Sequence, residues 1–213
     1  MKNIATKEDI LKQVNILLNG ETIDHLERVS KLTHMLISIH NYRLRLNLSE
    51  EYMMSVVKVS SLHDIGKTRI PSEILNKPGK LTDMERTIIE KHPEHGIEVL
   101  KELESTMSMF SSEDEREIAE EVIRYHHERW NGTGYPCQLK KEEIPLSARI
   151  VAVADVFDAL VSKRPYKRAW SVDEALHLLR YEKGQHFDPA LVDSFLLLRD
   201  VLIEQEQKQE QTA

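Results

Sequence analysis

The chain has 213 residues, of which 40% are hydrophobic and 31% charged, which suits one large domain with a sizeable core and excludes a disordered chain. Its net charge of −7 excludes a broad basic surface for duplex nucleic acid, although a local cationic pocket remains compatible with it. A lone cysteine, Cys137, excludes an intrachain disulfide. No apolar run is long enough to cross a membrane and the start has no apolar signal core, so a cytoplasmic protein is expected.

Residues 5–18 place Ile10, Leu11, Val14, Leu17 and Leu18 on one helical face, and Asn19-Gly20 closes that helix. Residues 1–19 are therefore read as an amphipathic helix belonging to or packed on the domain. A long helix is expected from about Glu21 to Leu46, with Thr22 as a candidate N-cap. The next runs from Ser49 to about His63, with Met53, Val56, Val57, Val59 and Ser60 facing inward. Thr82 and Glu85 have capping-box spacing for a helix that ends near His92-Pro93, and Pro93 suits the first turn of another. Residues 104–115 read as a mobile loop, and a helix follows from Glu115 to His127. Trp130 to Pro136 form a tight loop rich in turn residues. Residues 146–162 are apolar nearly all round, which predicts a central helix. Helices over 171–182 and 188–205 come next, and 205–213 reads as a polar, disordered tail. No strand-like alternation and no internal repeat stand out, so the expected class is all-α.

The chemistry concentrates in Ser61-Leu62-His63-Asp64-Ile65-Gly66-Lys67. Neutral imidazole and carboxylate are ligands for borderline divalent metals. Adjacent helical residues point about 100° apart, so His63 and Asp64 can flank one ion while the second Asp64 oxygen serves another. Gly66 is expected to permit a sharp turn, and Lys67 brings a cation near the carboxylate. Further candidates are Glu21 and His25 at i, i+4 spacing, His92, the pair His126-His127, and Asp155 inside the central helix. A carboxylate there is costly unless paired or metal-bound. This is more ligands than one tetrahedral zinc needs, and it suits two or three divalent ions that clamp a phosphoryl displacement. Asp158 reads equally as a partner for a ligand or as a substrate contact. His34, His40, His177 and His186 read as surface or capping groups, Cys137 as a loop thiol, and Met53, Met54, Met107 and Met109 as packing or loop residues.

These segments resemble the HD-GYP branch of the HD phosphohydrolases. The matching residues are Glu21 to Val29, His63-Asp64-Ile65-Gly66-Lys67, Lys77-Pro78-Gly79, and His92-Pro93-Glu94-His95-Gly96. His126-His127-Glu128-Arg129-Trp130 through Gly134-Tyr135-Pro136, Ile144 to Asp158, Arg164-Pro165-Tyr166-Lys167 and Phe187-Asp188-Pro189 extend the match over about residues 20–200. The resemblance implies an all-α HD core of five helices with added N- and C-terminal helices, here over 20–204. It implies hydrolysis of cyclic di-GMP to pGpG, and onward to GMP, by a metal-bridging hydroxide, with iron or manganese as the metal. His63, Asp64, His92, His126, His127 and Asp155 match the two-metal site, and Glu21 and His25 match members with a third metal. Lys67 matches the lysine beside the metals, and Tyr135, Arg164 and Lys167 match substrate-lining positions.

Two departures stand in the loop: Gln138 and Lys141 replace family glycines, and Asn131 replaces the commoner Asp. The rival readings are hydrolysis of another cyclic or linear nucleotide, and a weakly catalytic module that binds cyclic di-GMP or a protein. Many relatives carry a sensory domain. With about 20 residues before Glu21, this chain reads as a stand-alone catalytic domain, regulated by a signalling-protein partner.

Overall fold

The computed structural model describes residues 23–163 and 168–210, and every regular element among them is helical. The N-terminal helix, Thr22, Glu21, Arg164 and Lys167 lie outside the described residues.

Helix α1 (Ile23–Leu44) buries Leu26, Val29, Leu36 and Ile37, spaced so that one stripe faces the core. That stripe packs on the central helix α7 (Leu146–Val161). Helix α7 buries Ala148, Ile150, Val151, Val153, Ala154 and Phe157, so it is enclosed on most sides, as its composition predicts. His40, expected at the surface, is instead buried against α9 (Pro189–Phe195), with Nδ1 2.8 Å from Ser194 Oγ.

Helix α2 (Glu50–Val59) starts at Ser49, whose hydroxyl accepts the Tyr52 N–H. It stops short of His63. The chain tightens into a 3-10 turn over Ser60–Leu62, and a second one follows over Ile65–Arg69. The Ser60 and Ser61 hydroxyls donate to the carbonyls of Val57 and Lys58, offering the backbone an alternative to a further α-turn. This break sets His63 and Asp64 between two tight turns, where both are buried.

Short α3 (Ser72–Leu75) leads to α4 (Asp83–Ile89), which begins with the expected Thr82–Glu85 capping box. Helix α5 (His92–Thr106) has Pro93 in its first turn, and α6 (Glu113–Tyr125) is capped by Ser112. The expected loop over 104–115 thus shrinks to the six residues between Thr106 and Glu113. Two contacts tie it to the domain. Met109 is buried in the core, and Glu115 accepts the Ser111 N–H and pairs with Lys58.

Helix α8 (Val172–Tyr181) carries a second capping box, Ser171–Glu174. The single helix expected over 188–205 is divided: α9 gives way to a 3-10 turn at Leu196–Leu198 and then to α10 (Arg199–Glu210). The polar tail expected from 205 is helical as far as Glu210, and Glu206 accepts the Val172 N–H at 3.2 Å.

Candidate metal centre

His63 and Asp64 come from the tight turn after α2, and His92 from the first residue of α5. His126 caps the end of α6, His127 follows it, and Asp155 sits in α7. Each lies at or near a helix end or on the inner face of the central helix, so four elements converge without a long loop. His25, one turn into α1, joins them.

The side chains form two groups. In one, Asp64, His92, His126 and His127 each bring a ligand atom within 4.8 Å of the others. In the second, His25, His63 and Asp155 do the same. His25 thus stands with His63 and Asp155. Asp64 joins the two groups. Its Oδ1 lies 3.1 Å from His92 Nε2 and 3.6 Å from His126 Nε2, while its Oδ2 lies 3.2 Å from His63 Nε2 and contacts Lys67 Nζ. Asp155 Oδ1 is 3.7 Å from both His25 Nε2 and His63 Nε2.

Hydrogen bonds on the far side of the rings set which nitrogen faces inward. His63 Nδ1 donates to Ser60 O at 2.8 Å, His92 Nδ1 to Ile89 O at 2.8 Å and His126 Nδ1 to Val122 O at 2.9 Å. A carbonyl can only accept, so each Nδ1 carries a proton, and each neutral ring turns its Nε2 lone pair inward. These acceptors are helix-end carbonyls three or four residues back. Position and tautomer therefore come from the same local turn.

Electrostatics matches a cation site. Burial drives the His127 and His126 imidazoles below their usual value, favouring the neutral, ligating form. At His63 burial acts the same way, but the Asp64 and Asp155 carboxylates outweigh it and hold the ring well above its usual value. Burial would raise Asp64, yet Lys67 and His63 keep it well below the usual carboxylate range. Asp155 is likewise held low, chiefly by His63 against the effect of burial. His63 Nε2 and Asp64 Oδ1 are buried and receive no hydrogen bond. Each orphaned polar atom costs about 1–3 kcal/mol, and both point into the cluster. Buried carboxylates, inward imidazole lone pairs and orphaned atoms together fit divalent cations.

Asp155, expected as a metal ligand inside the central helix, stands in one of the two groups. Its side chain is 17% exposed and looks into the site, whereas Asp158, one turn on, is 1% exposed. Asp158 turns away from the cluster's centre and binds His25 and Arg28.

The loop after His127 forms a wall of the site. Tyr135 stacks on His127 with ring centroids 4.8 Å apart and planes 26° apart. Burial pushes its hydroxyl up, with Asp64 adding to the shift, so the phenol stays protonated. Glu128, which the sequence marks only by its place beside the histidine pair, organises this loop. It is buried and accepts the Cys137 N–H at 2.6 Å and the Leu139 N–H at 3.1 Å. Gly134 passes so close that a Cβ there would lie 2.3 Å from Arg129 N. Trp130 N–H and Asn131 N–H donate to the carbonyls of His186 and Gln185, tying the loop to the turn before α9. Gln138 and Lys141 have φ of 57° and 53°. They hold the left-handed conformation that glycine adopts without cost.

Residues 16–191 match the family model described as HD domain. A cyclic di-GMP phosphodiesterase of Vibrio cholerae is 42% identical over 189 residues, covering 87% of this chain and 37% of that protein. The 3′3′-cGAMP-specific phosphodiesterase 2 of the same organism is 39% identical over 176 residues, covering 83% of this chain and 31% of that protein. The chain thus spans less than half the length of these relatives. The crystal structure of a cyclic GMP-AMP-specific phosphodiesterase of V. cholerae superposes with a TM-score of 0.61 at 24% identity, covering 89% of this chain and 47% of that one. The fold, the histidine–aspartate cluster and the family match agree: the chain belongs to the HD domain family.

Proposed function

We propose that this domain is a metal-dependent phosphodiesterase that hydrolyses cyclic di-GMP to pGpG and onward to GMP. The observation that carries this reading is the placement of Asp64 between two ligand groups, with one carboxylate oxygen directed to each. Asp64, His92, His126 and His127 would hold one cation, and His25, His63 and Asp155 a second. Glu21 would complete the set for a third. The mixed imidazole–carboxylate donors favour iron or manganese. When bound, such ions supply Lewis-acid activation of a water and neutralise charge on phosphoryl oxygens.

The chain's own residues do the rest. Lys67, beside Asp64, stabilises negative charge developing on the phosphoryl group. Tyr135 supplies an aromatic face and a protonated hydroxyl at the mouth of the site. Arg164 and Lys167 hold the anionic substrate, the arginine through its two-pronged fork. No helix among the described residues is long and apolar enough to cross a membrane. The same reading places the domain in the cytoplasm, acting on a diffusible dinucleotide, with regulation from a signalling-protein partner.

A second reading, cyclic GMP-AMP as substrate, is favoured by the 39% identity to a phosphodiesterase specific for that molecule. A weakly catalytic binding module is disfavoured by the presence of both ligand groups. The test is direct. Protein reconstituted with iron(II) or manganese(II) is given each dinucleotide in parallel, and products are separated by chromatography. Conversion of cyclic di-GMP to linear product is expected. Metal-loaded protein that cleaves neither substrate would overturn the proposal.

A further inference from the structure

We infer that Asp158, braced by Arg28, is the positioning residue for His25 and sets metal occupancy of the His25–His63–Asp155 group independently of the Asp64 group. This rests on the reading of both groups as metal sites. His63, His92 and His126 are each oriented by a backbone carbonyl three or four residues away. Their geometry is a property of the local turn. His25 differs. Its Nδ1 lies 2.7 Å from Asp158 Oδ2, a side chain on another helix 133 positions along the chain. A carboxylate accepts the Nδ1 proton, leaving the Nε2 lone pair facing Asp155 Oδ1 at 3.7 Å.

Asp158 is fully occupied by this task. Its Oδ1 accepts from Arg28 Nε at 2.6 Å, and its Oδ2 accepts from Arg28 Nη2 at 3.1 Å and from Ser162 Oγ at 3.2 Å. With His25 added, four donors surround one buried carboxylate, which leaves no oxygen turned toward a cation or a substrate. This decides between the two roles the sequence allowed. Arg28, three residues beyond His25 on the same helix, fixes the carboxylate bidentately, so the bridge also joins α1 to α7. A negative carboxylate raises the basicity of the imidazole it orients, and partners of this kind typically change metal affinity by about 10–100-fold.

The experiment titrates manganese(II) into apo-protein by calorimetry, with bound manganese counted by elemental analysis. Asp158→Asn should weaken one manganese site by about 10–100-fold and leave the affinity of the other unchanged. Arg28→Gln should move the same site in the same direction by a smaller factor. In a His25→Ala background, Asp158→Asn should have no further effect on metal binding, since the residue acts only through that ring. A merely structural role would instead weaken every site and would persist without His25. If Asp158→Asn fails to fold, as judged by circular dichroism, Arg28→Gln in the parent and His25→Ala backgrounds carries the same comparison. A parent that binds two or more manganese ions, with variants that keep every affinity, overturns this inference alone. A parent that binds none overturns the metal-site reading beneath it.

Discussion

Gly66 lies against the carbonyl of His92: a Cβ at Gly66 would come within 1.9 Å of that oxygen and 2.4 Å of Gly96 N. Both obstacles are backbone, so neither can swing aside. The turn bearing Asp64 and the helix bearing His92 thus meet through a gap only glycine fits. The sharp turn expected of Gly66 is not what requires it, since its φ is not positive. Gly66→Ala should part the two segments and cost on the order of 1–3 kcal/mol, as overpacking does. Urea unfolding should show the lower midpoint, and bound manganese should fall because Asp64 and His92 no longer converge. Unchanged stability and metal content would refute this close-packing account.

Gln138 carries a left-handed backbone in the loop that Glu128 organises. Gln138→Gly should therefore be tolerated. Gln138→Val should cost on the order of 1–2 kcal/mol, because a branched Cβ fits that region worst. Thermal unfolding of the two variants in parallel checks the sign. Equal midpoints would mean that the loop relaxes to another conformation.

Lys58 and Glu115 form an ion pair at 2.5 Å, with Glu115 2% exposed. Glu115 is held low by Lys58 and Ser111 against the pull of burial. Lys58→Met leaves that carboxylate buried without its cation and should cost about 3 kcal/mol. The double variant Lys58→Met, Glu115→Leu should recover much of the loss. A double-mutant cycle in urea measures the coupling, and additive effects would show that the pair does not anchor the 107–112 loop.

His186 is lowered from its usual 6.5 to about 4, first by burial and then by the Arg129 cation. The unfolded chain therefore binds this proton more readily than the folded one. The favourable difference is complete above pH 6.5 and shrinks as pH falls toward 4, by about 3 kcal/mol in all. His186→Gln should reduce the acid loss of stability across that window. Parallel pH profiles of unfolding free energy, with equal slopes in variant and parent, would contradict the assignment.

The sequence by itself determined the principal helices, though not all of their ends. Apolar spacing in 23–44, the all-round apolar run of 146–161 and the capping box at Thr82 are local signals, legible because helices close their hydrogen bonds within four residues. The candidate ligands were legible for a similar reason: chemistry-bearing residues cluster at helix ends, and they match a family pattern. Tertiary structure alone decided what faces what. That Asp64 lies between two groups, that His25 joins His63 and Asp155, and that Asp158 serves His25 depend on contacts between helices distant in sequence. The buried place of His40, the break after Val59 and the anchored 107–112 loop were also beyond local reading. Each turns on a partner supplied by another segment, such as Ser194 for His40 and Lys58 for Glu115, and periodicity carries no information about such partners.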